Sequence, residues 1–238
     1  MNIALIGYGK MGKAIEQIAL QRGHTIVLKI TSANTQDLTP DNVRKADVAI
    51  EFTGPDTVLP NLMLCASAGM PVVCGSTGWN KKLQTIERLF TEHQGALVHA
   101  SNFSVGVNIF FEINRKLASL MNGRNTYSVS LEETHHTAKK DAPSGTAISL
   151  AEQIIHADTR YRSWVCDAPA GEGAIPIHAN RIDLAPGTHQ VQWTSRIDDI
   201  VITHTAHNRD GFAEGAVLAA EFLMGKKGVF TMKDVLGL

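Results

Sequence analysis

The chain has 238 residues, 44% hydrophobic and 19% charged, with a formal net charge of −1. This is the composition of an ordinary globular protein, long enough for one large domain or two modest ones. Near-neutral charge spread along the chain argues against a bulk nucleic-acid partner or an anionic membrane surface, and no stretch approaches the roughly 20 apolar residues of a membrane helix. Cys65, Cys74 and Cys166 form no CxxC pair and no metal-ligand spacing. With no secretory leader expected, they read as small buried hydrophobes of a cytoplasmic protein.

The first hundred residues alternate strand and helix. Asn2–Ile6 is a short apolar run, followed at once by Gly7-Tyr8-Gly9-Lys10-Met11-Gly12. Met11, Ala14, Ile15, Ile18 and Ala19 then recur at helical spacing, and Gly23-His24 ends that helix. Strands are expected at Thr25–Ile30, Val48–Phe52, Pro71–Cys74 and Ala96–His99. Helices are expected between them, from about Thr57 to Ala68 and from about Lys81 to Glu92. Short apolar strands separated by helices predict a parallel sheet covered on both faces.

The glycine motif sits where a dinucleotide fingerprint belongs, after a strand and opening a helix. Gly7 allows the tight turn, Gly9 the approach of a pyrophosphate, and Gly12 the packing of helix on sheet. The helix N-terminus offers positive potential to the phosphates. An NAD-specific site would end the second strand in Asp or Glu. Here Thr31 and Ser32 stand at that place with Lys29 just before them, which tilts the expectation mildly towards NADPH over NADH. Thr53-Gly54-Pro55 and Gly75-Ser76-Thr77-Gly78 fall at the carboxyl ends of strands, where open α/β sheets gather their ligands.

After Val98 the pattern changes. Val105–Leu120 reads as a long helix with Val105, Ile109, Ile113, Leu117 and Leu120 along its core stripe. Tyr127–Leu131 alternates, with Tyr127, Val129 and Leu131 inward. Further strands are expected at Ile175–Ile182, Thr188–Ser195 and Ile200–Ala206, then a helix at Phe212–Met224 and a last segment, Phe230–Leu236. The fold class expected is α/β: an N-terminal Rossmann domain and a second α+β domain on a mixed sheet. The expected division is 1–103 for the cofactor, 104–210 for substrate and oligomerisation, and 211–238 returning to the first domain.

The segment from Glu132 to Ala147, EETHHTAKKDAPSGTA, concentrates the chemistry. Ser144 or Thr146 can cap a helix through Ile148, Leu150, Ala151 and Ile154, and the amides around Gly145 and Thr146 suit a carboxylate. Lys139 adds a positive charge, and His135 or His136 titrates near neutrality. That combination suits reduction of a small carboxylated imine or enamine-like compound. No metal is expected, because adjacent histidines are not spaced along one helix face. His99, His178, His189, His204 and His207 receive no catalytic role, and Trp79, Trp164 and Trp193 read as packing residues.

These motifs, with SNFSVGVN at Ser101–Asn108 and the ending FLMGKKGVFTMKDVLGL, resemble the 4-hydroxy-tetrahydrodipicolinate (dihydrodipicolinate) reductase family over essentially the whole chain. The resemblance implies a homotetramer that uses NADH or NADPH. It would convert (2S,4S)-4-hydroxy-2,3,4,5-tetrahydrodipicolinate, a small cyclic dicarboxylate, to tetrahydrodipicolinate with loss of water. It implies His135 and Lys139 as the catalytic pair, with Lys139 favoured as proton donor, and His136, Lys139, Gly145 and Thr146 around the substrate carboxylates. Gly7, Lys10, Met11 and Gly12 match the pyrophosphate loop, and Gly75, Thr77, Ser101 and Phe103 match positions near the nicotinamide. Gly9, Thr31, Ser32, Thr53, Ser76 and Asn102 complete the candidate cofactor contacts.

The chain departs from the family pattern at several places. Thr137 and Ala138 stand where basic residues are frequent, Lys10 where Arg is usual, and Thr31 or Ser32 where the ribose-binding acid would be. The segment before His189 is short. A Rossmann reductase of aldehydes or 2-oxo acids would not need the HHxxK and DAPSGTA pairing. A dinucleotide-binding regulator would not need His135 and Lys139.

Overall fold

A computed structural model describes residues 1–208 and 210–238, and these divide into two compact units. The first comprises Met1–Val105 and the C-terminal stretch ending at Leu238; the second is Gly106–Asn208.

In the first unit, β1 (Asn2–Ile6), α1 (Lys10–Gln21), β2 (Thr25–Ile30), the short α2 (Pro40–Val43) and β3 (Val48–Glu51) follow in order. Next come α3 (Val58–Ser67), β4 (Val72–Cys74), α4 (Leu83–Glu92) and β5 (Ala96–His99). The second unit takes up α5 (Val105–Met121), β6 (Ser128–His135), α6 (Gly145–Ala157), β7 (Ser163–Cys166), β8 (Ala174–Arg181), β9 (Thr188–Thr194) and β10 (Asp199–Thr205). The chain closes with α7 (Asp210–Leu223), β11 (Gly228–Phe230) and α8 (Met232–Leu236).

The first sheet runs β11-β5-β4-β3-β1-β2 with every pairing parallel. Its strands are apolar on both faces because both are covered. Ile3, Leu5, Val48, Ile50, Val73 and Val98 pack beneath α1 and α7, while Ala4, Ile6, Ala49, Val72, Cys74 and Leu97 pack beneath α3 and α4. α7 approaches closely because it is built of small residues. A Cβ on Gly215 would lie 1.7 Å from the carbonyl oxygen of Phe103. The C-terminal strand β11, absent from the sequence expectation, forms the edge next to β5. Its three residues are too few to show a period.

The second sheet runs β10-β9-β6-β8-β7 and is mixed: β6 pairs antiparallel with β9 and parallel with β8. One face is apolar, where Val129, Leu131, Ile175, Ile177, Val191 and Trp193 pack against Phe110, Ala118 and Met121 of α5 and Leu150, Ala151 and Ile154 of α6. The fold class expected from the sequence is the one observed. The short β7 was not expected.

The core stripe of α5 is corrected. Ile109, Ile113 and Leu120 are 42%, 47% and 58% exposed, and the buried line is Val107, Phe110, Asn114, Ala118 and Met121. Apolar residues cover most of this helix's circumference, so hydrophobicity alone does not phase it. The polar member of the true stripe, Asn114, donates to the carbonyl of Leu150 at 3.1 Å, which lets an amide occupy a core position. Among the described residues no helix is long and apolar enough to cross a membrane. Trp79 and Trp193 are buried packing residues, as are Cys65 and Cys74, whereas Cys166 is half-exposed.

Arg160 ties the end of α6 to the turn before β6. Its guanidinium bonds both oxygens of Asp158, whose side chain is fully buried, and donates to the carbonyls of Arg124 (2.9 Å) and Tyr127 (2.8 Å). It also lies 5.9 Å from the Trp193 ring. Removing one partner of such a pair leaves an uncompensated buried charge. Arg160→Met should lower the unfolding free energy by about 3–5 kcal/mol, measured by urea denaturation.

Candidate active site

In the first unit the crevice opens at the carboxyl ends of β1, β2 and β3. A cavity of about 710 Å³ is lined by Gly7, Gly9, Thr31, Ser32, Thr53 and Asn61 among others. Gly7 has φ +97, and a Cβ there would sit 2.1 Å from the carbonyl oxygen of Phe52. A Cβ on Gly12 would sit 2.2 Å from the carbonyl oxygen of Gly7, so the turn closes onto the start of α1 only without side chains. α1 begins after Gly9 with no side-chain cap, leaving its N-terminal end to a ligand. These features fit the pyrophosphate of a dinucleotide.

Behind the crevice lies a carboxylate with no solvent exposure, Glu51. It accepts from the Thr53 hydroxyl and from Asn61 at 3.1 Å, and the Thr53 amide donates to Ser76 Oγ at 2.8 Å. Thr53 and Ser76, from two different strand ends, are thereby joined. Gly75 is demanded by the Phe52 ring, which a Cβ would meet at 2.1 Å.

Lys10, Met11, Gly12, Gly75, Thr77, Ser101 and Asn102 do not line this cavity. Phe103 is 2% exposed and its ring packs tilted against that of Phe52, centroids 5.6 Å apart, so the ring belongs to the core. The inference from Lys29 also needs correction. Its ammonium pairs with Glu16 at 2.5 Å and lies over the Tyr8 ring, which ties its charge to the protein. Thr31 is likewise engaged, donating through its amide and hydroxyl to Asn34 Oδ1 at 2.7 and 2.8 Å.

In the second unit the site grows from strand alternation. Val129 and Leu131 face the core, and the same phase carries Glu133 and His135 to the end of β6. β9 does the same with Trp193, Val191 and His189, and Glu133 lies directly across from His189. On the other side His135 is opposite Arg181 of β8. The apolar face therefore becomes polar at one end, where the start of α6 covers it.

Glu133 is fully buried and receives the Ser144 amide on both carboxylate oxygens at 3.1 Å, and Arg181 at 3.1 Å. Ser144 caps α6 by accepting from the Ala147 amide, and its Oγ also bonds His189 Nε2 at 3.1 Å. The rings of His135 and His189 meet edge to face at 4.9 Å. Glu133, His135 and His189 present potential ligand atoms within 4.8 Å of one another. The guanidinium already on Glu133 marks an ion-paired carboxylate rather than an open metal site.

Lys139 pairs with Asp141 at 2.8 Å and is near enough to act on both imidazoles electrostatically. The Lys139–Asp141 loop is pinned by Arg181, which donates to the Asp141 carbonyl at 2.6 Å, and by Thr137, which donates to Asp183 at 2.5 Å. Thr137 thus fastens the loop. His136 is half-buried, Gly145 exposed and Thr146 half-buried at the opening turn of α6. Burial lowers the proton affinity of His135, and the Glu133 carboxylate offsets part of that. Burial pushes His189 down to about 3, with the charges of His135, His204 and Lys139 adding to it.

Sequence reasoning assigned no role to Glu133, His189 or Arg181. Alternation would have found the first two, since each continues the phase of an apolar strand face.

A glycine-built crevice on a parallel sheet, and a unit that gathers imidazole, ammonium and helix-start groups, are the parts of a Rossmann-type oxidoreductase. The known families agree. Residues 1–103 match the family described as dihydrodipicolinate reductase, N-terminus, and residues 106–236 match dihydrodipicolinate reductase, C-terminus. The chain is 49% identical over 237 residues to the 4-hydroxy-tetrahydrodipicolinate reductase of Christiangramia forsetii, covering 99% of this chain and 98% of the relative. It is 35% identical over 243 residues to that of Methanosarcina acetivorans, covering 99% and 89%. Among solved structures, dipicolinate-bound dihydrodipicolinate reductase from Paenisporosarcina sp. TG-14 superposes with a TM-score of 0.77 at 23% identity, covering 97% of each chain. The chain belongs to the dihydrodipicolinate reductase family.

The buried His189 has a consequence for stability. Its proton affinity is lower folded, about 3, than unfolded, 6.5, so the unfolded chain binds the proton first as pH falls. Its contribution is intact above 6.5 and is lost progressively as pH drops towards 3. His189→Asn should give a shallower fall in unfolding free energy across that window than the unsubstituted chain, measured by urea titrations at a series of pH values.

Proposed function

We propose that this chain reduces (2S,4S)-4-hydroxy-2,3,4,5-tetrahydrodipicolinate to tetrahydrodipicolinate, with a nicotinamide dinucleotide as reductant. The observation that carries the reading is the cluster at the start of α6. There Glu133 accepts from the Ser144 amide and faces His135, and Lys139 lies within electrostatic reach of that ring, so an imidazole, an ammonium and a helix start belong to one cluster, the set of groups a cyclic dicarboxylate and a proton transfer require.

The glycine turn Gly7–Gly12 and the crevice lined by Thr31, Ser32 and Thr53 would hold the cofactor. When bound, it supplies a hydride. Gly145 and Thr146, with His136 and Lys139, hold the substrate carboxylates. The C4 hydroxyl leaves as water with a proton from C5, opening a double bond conjugated with the ring imine; hydride adds at C4 and a proton at C5. The net change consumes one NAD(P)H and one proton and releases one water. Lys139 is the proton donor on this reading, oriented by Asp141. His135 lies beside it, within electrostatic reach.

Both NADPH and NADH are accepted, with a modest preference for NADPH. The lack of a carboxylate at Thr31 and Ser32 supports this; Lys29, paired with Glu16, adds less. The assembly is a homotetramer. Its support is the edge strand β10, where Ile200 and Val201 are 38% and 46% exposed on a strand with one unpaired side.

Lys139→Ala should reduce turnover by about 10²–10⁴-fold while leaving NADPH binding unchanged. Oxidation of the cofactor in the presence of freshly generated hydroxytetrahydrodipicolinate measures the first, and fluorescence titration the second. A variant that turns over at the original rate would sink the role of Lys139; an unsubstituted enzyme that oxidises neither cofactor would sink the reaction.

A further inference from the structure

Glu133 lies at a position with no solvent exposure, and its surroundings account for most of its hydrogen-bonding capacity. Arg181 and the Ser144 amide occupy one side. The remaining direction, from Oε2, faces two imidazole nitrogens, His135 Nδ1 and His189 Nε2, each at 3.7 Å. The two are not equivalent. His189 Nε2 already has Ser144 Oγ at 3.1 Å. His135 Nδ1 is buried and has no hydrogen-bond partner, and the carboxylate is the charged group it faces.

That asymmetry determines the proton's place. A lone pair on Nδ1 aimed at a buried carboxylate is repelled, whereas an N–H there is attracted, so Nδ1 keeps the proton in the neutral ring. Nε2 is then the nitrogen that exchanges protons. It rests against Gly187, where a Cβ would come within 3.2 Å, so the bare glycine keeps that edge of the ring uncrowded.

We infer that Glu133 is a positioning residue for His135: it fixes the Nδ1–H tautomer and, through the Ser144 amide, fastens the imidazole to the start of α6 that receives the substrate. One carboxylate therefore sets both the orientation of the ring and the place of the helix-start amides. The inference rests on His135 being, with Lys139, the catalytic pair of the proposed reaction. The charged and titratable groups facing this ring are Glu133 on its own strand, Arg181 on β8, His189 on β9, and Lys139 and Asp141 in the loop that follows β6.

The test uses the full-length protein with ¹⁵N-labelled histidine, and His135→Ala identifies the His135 signals. At mildly alkaline pH the unsubstituted protein should show His135 as the Nδ1–H tautomer in long-range ¹H–¹⁵N spectra. Glu133→Gln keeps an oxygen for the Ser144 amide but removes the charge. It should shift His135 towards a mixture with Nε2–H and lower kcat about 10–100-fold, with a smaller change in KM for the dicarboxylate. Loss of the carboxylate also lowers the proton affinity of His135, so the limb of the kcat–pH profile that reports it should move to lower pH. An Nε2–H tautomer in the unsubstituted protein overturns the inference, whether or not the variant folds. So does a Glu133→Gln protein with unchanged tautomer and unchanged limb, since a merely structural residue would lower stability alone. Undiminished reduction by His135→Ala would instead overturn the catalytic assignment beneath it, and the tautomer measurement separates that failure from this one.

Discussion

A carboxylate out of contact with water must find compensation, and in the second unit the compensation for Glu133 organises everything near it. Arg181 comes from β8, the Ser144 amide from the start of α6, and His135 and His189 from β6 and β9. Three strands and a helix start are thus drawn to one point by a single charge. Arg181 uses its remaining donors on the carbonyls of Asn180 and Asp141, which extends the same demand into the loop carrying Lys139. A polar cluster of this kind specifies one arrangement because any alternative leaves a buried group unpaired. A loop of eight residues between β6 and Ser144 would otherwise be free to wander.

The first unit meets an opposite requirement. Its crevice is made by removing atoms rather than by adding charged ones. Gly7 and Gly12 admit the turn against Phe52 and against one another, Gly75 yields to the Phe52 ring, and Gly215 lets α7 close on the Phe103 backbone. Phe52 is the common element. Its carbonyl fixes Gly7, its ring fixes Gly75, and its face meets Phe103. The aromatic residue at the end of β3 therefore acts as a spacer, setting the distance between the first glycine turn and the segment that follows β4.

What the sequence revealed, and what it hid, follows from these two kinds of construction. The parallel sheet was legible because each strand is an apolar run and each connection a helix, and the glycine spacing is a direct record of steric need. The mixed sheet was legible from Val129 and Leu131, Val191 and Trp193. The phase of α5 was not, because Ile109 and Ile113 are apolar without being buried, while Asn114 is polar and buried. His189 was passed over for a related reason. A histidine is read as polar, yet this one sits in register with Val191 and Trp193 and becomes neutral through burial. Its partner across the strands, Glu133, was visible within the conspicuous EETHH run, but only pairing in three dimensions shows that it faces inward.

The loop after β2 illustrates why a missing residue is harder to interpret than a present one. The sequence lacks an acid at Thr31 and Ser32, and Lys29 suggests a phosphate partner in its stead. The structure shows that the turn satisfies itself: Asn34 accepts from the amide and hydroxyl of Thr31 and donates to the Lys29 carbonyl and to Asp37, while the Lys29 ammonium turns to Glu16. Nothing in that turn demands a ribose hydroxyl, and no cation of the turn is left over for a 2′-phosphate. Discrimination between the two nicotinamide cofactors needs a group that is unsatisfied until one of them arrives. A turn whose Thr31 is already engaged by its own asparagine discriminates weakly.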